Sequence, residues 1–180
     1  MRAPLLYGIF AAAMFGHVNT DARIAAALAD NDPVASSSAE APAAPKPVGV
    51  TVLALRAQQI QVSVDGLLAR LAIQATVVVS VVPKNDLLVS VAPRDGGRQV
   101  FELALQNDFL STLTEDELVA AVAHELGHVW IFTHHPYLQT EELANDVALR
   151  VVERDSLERM YKKVWQQTGA KGDLVYLPAR

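Results

Sequence analysis

The sequence predicts an α+β fold, in which a small antiparallel sheet packs on a central helix and a second, ligand-bearing helix follows it. Three observations predict it. Between residues 75 and 105, runs rich in β-branched and apolar residues are separated by turn-forming residues. Glu115 to about Thr133 carries no Pro and only one Gly, the composition of one uninterrupted helix. Glu141–Val152 places apolar residues at helical spacing after a loop containing Pro136.

Residues 1–22 have the form of an export signal: Arg2, an apolar run from Leu5 to Phe15, then polar residues with small ones at Thr20 and Ala22. A cleaved signal is the first expectation. An uncleaved anchor that associates the protein with a membrane is the second, and an ordinary buried N-terminal helix is the plain alternative. The expected location is periplasmic or extracellular. Residues 23–47 form a linker, because from Ala29 onward Ala, Pro and Ser predominate and such a composition buries too little apolar surface to order itself.

The folded domain is expected over 48–180. Val52 to about Ile73 is dense in apolar residues, and Leu67, Leu68 and Leu71 predict a helix in its second half despite Gly66. Strands are predicted over Ala75–Val82 and Leu87–Ala92, separated by Pro83-Lys84-Asn85-Asp86, and over Arg98–Leu105 after the Asp95-Gly96-Gly97 turn. Asn107–Leu113 makes a short helical turn. Thr114-Glu115-Asp116-Glu117 is a capping box that opens the central helix with acids at the positive end of its dipole. Leu118, Val122, Leu126 and Val129 form its apolar stripe, with two histidines roughly opposite. After the Glu141 helix, Arg154, Leu157, Met160, Tyr161, Val164 and Trp165 continue as a cover helix broken by Gly169–Gly172. The tail Leu174–Leu177 is expected as a terminal strand or without order.

The chemistry sits in His124-Glu125-Leu126-Gly127-His128. H-E-x-x-H on a helix brings the two imidazoles within roughly 40° of each other, so both reach one Zn²⁺ at about 2.0–2.1 Å. Glu125 then lies beside the metal as a base. The plain alternative is a pair of solvated or hydrogen-bonded surface histidines. A catalytic zinc takes three protein ligands, and the third has three candidates: Glu141, Glu142 and His134. On a helical wheel Glu141 lies about 70° from the centre of the apolar face and Glu142 about 170°, which favours Glu141. His134 falls where H-E-x-x-H-x-x-G-x-x-H enzymes place a third histidine, yet Ile131 stands at their glycine and the only later methionine is Met160.

Composition bounds the rest. The chain has 180 residues, a net charge of −5, 51% hydrophobic residues and no cysteine. Mild acidity without a basic patch argues against a nucleic-acid partner. Without cysteine there are no thiolate ligands, which leaves His and carboxylate as the strong zinc donors.

Leu113–His128 resembles the core of the HtpX-like and CAAX-prenyl-protease-like zinc metallopeptidases, and Glu141-Glu142-Leu143-Ala144-Asn145 resembles their downstream E-x-x-A-D. The segment also resembles ImmA/IrrE-type proteases and the single-domain minigluzincins, in which A-N is common. The likeness covers about residues 75–155. It implies a gluzincin-like minimal metallopeptidase domain with Zn²⁺ on His124, His128 and Glu141, Glu125 as general base and a polypeptide substrate. Aligning on Ala144 again selects Glu141. Asn145 replaces the family's Asp, so it would orient a zinc-bound histidine through an amide oxygen and polarise it less. In such proteases the edge strand nearest the metal binds substrate as one more strand; Leu87–Ala92 and Arg98–Leu105 are the candidates, each also explicable as a purely structural strand. His135, Tyr137, Arg150 and Tyr161 are candidate donors to the transition state. The rival expectations are a catalytically silent peptide-binding module of the same fold, and an interaction protein without metal.

Overall fold

The computed structural model describes residues 48–94, 99–170, 172 and 174–177, with side chains from residue 52 onward. The expected export signal (1–22), the linker (23–47) and the Asp95-Gly96-Gly97 turn lie outside the described residues. Among the described residues the fold is α+β, a three-stranded sheet with five α-helices, and no helix is long and apolar enough to cross a membrane.

Helix α1 runs over the whole of Val48–Arg70, not only the second half of that stretch. Its buried stripe, Ile60, Val64, Leu67, Leu68 and then Leu71 beyond its end, is confined to the C-terminal half. The N-terminal half carries little amphipathic signal because it buries little: Val52 and Leu55 are exposed.

The sheet comprises β1 (Thr76–Val82), β2 (Val89–Pro93) and β3 (Val100–Gln106) in the order β1-β3-β2. It is mixed, which corrects the antiparallel expectation: β2 pairs antiparallel with β3, whereas β1 pairs parallel with β3. Pro83–Asp86 does not close a hairpin. Instead the connection steps past a strand position, and the Asn85 side chain pins it there. Its Nδ2 donates to the Ala104 carbonyl and to Ser90 Oγ, both at 3.0 Å, while its Oδ1 accepts from the Leu87 amide at 3.0 Å. β3 therefore returns between its two predecessors, so the third predicted strand is central and β2 is the edge strand of the two candidates. Alternate residues Val77, Val79, Val81, Phe101, Leu103 and Leu105 point into the core, where α1 packs on β1 and α3 packs on β2.

The two outer edges differ. On β1, Gln61 lays its side-chain amide along the strand, Nε2 donating to the Val77 carbonyl at 2.8 Å and Oε1 accepting from the Val79 amide at 2.9 Å. A side chain thus takes the hydrogen bonds a neighbouring strand would take. On β2, Leu88 and Arg94 bond β3, through Gln106 N–H to Leu88 O and Arg94 N–H to Val100 O, each at 2.8 Å. Antiparallel alternation then turns the backbones of Val89 and Val91 outward, and Pro93, which has no N–H to lose, occupies the next outward position.

A short helix, α2 (Asn107–Leu110), leads into α3 (Glu115–His134). The capping box is formed: Glu117 N–H donates to Thr114 Oγ1 at 3.4 Å and Thr114 N–H to Glu117 Oε2 at 2.8 Å. The expected amphipathic helix is instead buried on every side from Ala120 to Val129, because the face opposite the apolar stripe is covered by α4 (Glu141–Ala148). α4 stops short of the predicted Val152. Arg150 and Val151 tighten onto Val147 and Ala148 carbonyls, and α5 (Arg154–Thr168) starts afresh, ending at Gly169 with φ of 70°. The tail forms a 3-10 turn at Leu174–Tyr176 rather than a strand, with Leu177 buried behind it.

Candidate metal centre

The centre depends on how closely α3 and α4 approach, and Gly127 sets that distance. A Cβ at Gly127 would collide with the Ala144 carbonyl oxygen and lie 2.9 Å from Ala144 Cα. Backbone atoms cannot swing aside as a side-chain end would, so any larger residue forces the helices apart. Gly127→Ala is accordingly expected to cost about 1–3 kcal/mol of stability by overpacking, more than Ala's helix preference over Gly returns. It should also weaken metal binding in the same protein. Urea unfolding and a zinc titration of the variant check both effects.

The close approach sets the first turn of α4 over one face of α3. Thr140 caps it, its side chain accepting from the Leu143 amide at 3.2 Å. His124, His128 and Glu141, all buried, thereby come together with one donor atom of each within 4.8 Å of the others. The imidazole rings are 4.9 Å apart and nearly perpendicular, at 89°. Glu141 Oε2 lies 3.2 Å from His124 Nε2 and its Oε1 3.6 Å from His128 Nε2.

The far nitrogen of each ring is held by an amide whose orientation a second bond decides. Asn145 Nδ2 donates to the Tyr176 carbonyl at 3.1 Å, which leaves Oδ1 to accept from His124 Nδ1–H at 2.8 Å. Gln139 Nε2 donates to the His128 carbonyl at 3.3 Å, which leaves Oε1 to accept from His128 Nδ1–H at 3.2 Å. With Nδ1–H fixed in this way, the neutral form of each ring carries its lone pair on Nε2, facing Glu141, and the protonated form of His124 turns an Nε2–H onto that carboxylate. Tyr161 supports the first arrangement, its hydroxyl donating to Asn145 Oδ1 at 3.0 Å.

Burial and mutual charge shape the ionisation of the group. For His124, burial opposes protonation, but Glu141, Glu125 and Asn145 together hold its pKa above the ordinary imidazole value. Burial, reinforced by His124, pushes His128 down to about 4. Glu141 is raised by burial but carried below the usual carboxylate range by its two histidine neighbours. Burial pushes Glu125 up to about 7, with Glu141 adding to the rise and His124 and a backbone hydrogen bond from Val91 opposing it.

Three buried atoms at this point, Glu125 Oε1, His128 Nε2 and Glu141 Oε1, have no hydrogen-bond partner among the described residues. Each unsatisfied buried polar atom costs about 1–3 kcal/mol. A cation among them would relieve that cost for the lone pairs of His128 and Glu141, and two imidazole nitrogens with a carboxylate suit a divalent transition metal. The buried His-His-Glu group can hold a metal ion.

The other sequence candidates lie elsewhere. Glu142 is exposed, on the side of α4 away from its buried residues. His134 is exposed and stacked on Trp130, with ring centroids 4.5 Å apart and planes at 12°, and its Nδ1 is 2.9 Å from the Trp130 carbonyl. Of the four candidate transition-state donors, Arg150 lies over Trp130 at 5.1 Å and His135 beside it at 5.8 Å, while Tyr137 projects into solvent. Tyr161 is buried next to His124, but its hydroxyl is on the Nδ1 side, 3.3 Å from that nitrogen. Sequence reasoning passed over Gln139, Gly127 and Val91. The glycine and the strand alternation gave usable signals; an amide in a loop gave none.

Comparison with protein-family models, with curated proteins and with solved structures finds no match to this chain.

Proposed function

We propose that this domain is a zinc-dependent endopeptidase that hydrolyses peptide bonds in extended polypeptides. The observation that carries the proposal is Glu125. It is buried to 2% exposure beside the His-His-Glu group, contributes no donor to that group, and keeps a carboxyl oxygen without a partner. A buried carboxyl oxygen without a partner is costly, the Val91 backbone hydrogen bond being the one bond that holds the group down, and a pKa of about 7 suits a group that must both take and give a proton near neutrality.

His124, His128 and Glu141 would hold the ion. Zn²⁺ bound there supplies Lewis acidity, polarising a carbonyl oxygen and lowering the pKa of water. Glu125 Oε1 takes the proton of the water that attacks the scissile carbonyl, then passes it to the departing amide nitrogen. Asn145 and Gln139 keep both imidazoles in the tautomer that presents Nε2. β2 supports the substrate assignment. Val91 reaches Glu125 through its backbone, so a chain lying along the outer side of β2 would pass the base in extended form. The resemblance of residues 75–155 to HtpX-like and minigluzincin enzymes points the same way, and the export signal expected in residues 1–22 would put the activity in the periplasm or outside the cell.

Incubating the full chain, loaded with zinc, with an unfolded polypeptide and a degenerate peptide library tests the proposal. Cleavage abolished by a chelator and restored by zinc is the expected result. A zinc-bound protein that cleaves nothing would reject the peptidase and leave a silent peptide-binding module.

A further inference from the structure

We infer that Gln139 is the positioning residue for His128, and that through it the connection between α3 and α4 controls how firmly the metal is retained. The inference rests on the metal reading of the His-His-Glu group. The two histidines are held in unlike ways. Asn145, which holds His124, belongs to α4, is fully buried, and is itself fixed by the Tyr176 carbonyl and the Tyr161 hydroxyl. Gln139, which holds His128, stands in the connection between the helices and is only half-buried. Its neighbours Tyr137 and Leu138 are 95% and 54% exposed.

Among the described residues, both hydrogen bonds of the Gln139 side chain go to His128, one to the ring and one to the backbone carbonyl. The side chain therefore serves His128 alone. Without it, no hydrogen bond to His128 Nδ1 remains among the described residues, the ring is left to packing against His124 and to the longer 3.6 Å approach of Glu141, and part of the alignment of Nε2 must be achieved at the moment of binding. His124 keeps its alignment under the same change. His128 is thus the ligand that yields first, and the exposed connection sets the ease with which it yields.

The test uses the full chain and zinc alone, comparing wild type with Gln139→Met, Gln139→Ser and Gln139→Glu. Zinc affinity is read by competition with a chelator, zinc release by transfer to excess chelator, and the unfolding temperature of the metal-free proteins is measured alongside. Gln139→Met keeps the length of the side chain and loses the acceptor. It and Gln139→Ser should bind zinc roughly 10–100-fold more weakly and release it faster, while the metal-free proteins still unfold cooperatively at temperatures only modestly below wild type. Gln139→Glu keeps an acceptor for Nδ1–H and should bind at least as tightly as wild type. Wild-type affinity and release in Gln139→Met and Gln139→Ser would overturn the inference, as would equal weakening in Gln139→Glu. A wild-type chain that takes up no zinc would instead reject the metal reading, and this inference with it.

Discussion

Replacing Glu125 with Gln is expected to lower peptide hydrolysis by about 10²–10⁴-fold, the usual worth of a positioned acid–base group, while leaving zinc binding at the wild-type level. The two halves of the result follow from one geometry. Glu125 gives no donor atom to the His-His-Glu group, so the ion loses no ligand. The amide keeps the volume and removes the proton acceptor. The pH profile adds a second signature. Glu125 must be ionised to act, and its pKa without metal is about 7; a cation beside it favours the ionised form and moves the value lower. The rate should therefore fall tenfold per pH unit on an acid limb at or below 7, and that limb should be missing from the residual rate of Glu125→Gln. Zinc content and kcat/KM against pH measure both. A variant retaining more than a tenth of wild-type activity would exclude Glu125 as the base.

Glu141→Ala should lose zinc, with affinity falling by more than the roughly 10–100-fold that the loss of an outer hydrogen-bond partner costs, because a ligand itself is removed. Glu142→Ala and His134→Ala should bind as wild type, since both side chains are exposed and lie outside the group. The metal-free protein should change as well. There Glu141 pairs with His124 at 3.2 Å in a buried setting, and breaking such a pair costs about 3–5 kcal/mol. The sign with pH follows from the two shifts. The lowered pKa of Glu141 gives stability that is present above the ordinary carboxylate range and lost as pH falls through its folded value. The raised pKa of His124 gives stability that is present below the ordinary imidazole range and lost as pH rises through its folded value. The stability gap between wild type and Glu141→Ala should therefore be widest between those limits and narrow on either side. Urea unfolding in the presence of a chelator, repeated at several pH values, tests it.

The parts of this domain that were legible from sequence are the local ones. Thr114 and Glu117 predicted their reciprocal cap because both bonds span three residues. The 100° step of a helix placed His124 beside His128, and the apolar phase of Leu143, Ala144 and Val147 turned Glu141 inward and Glu142 outward. The misread parts are those in which distant segments decide. Whether β3 pairs outside β2 or between β1 and β2 depends on Asn85 reaching the Ala104 carbonyl, a bond across nineteen residues. The burial of α3 on all sides depends on Gly127 meeting Ala144, and the pattern within α3 shows only one apolar stripe. The first half of α1 was missed because a helix that buries little shows little periodicity. Gln139 escaped notice because a loop has no period to phase its side chain against the His128 ring.

The unequal edges of the sheet also bear on self-association. Open-ended growth of a sheet from copy to copy requires two free edges per molecule, one to receive a strand and one to offer. Gln61 occupies the middle of one edge with its own amide. A strand that joins this sheet along β2 therefore ends the series it begins, and pairing stops at a single partner instead of running on into a fibre.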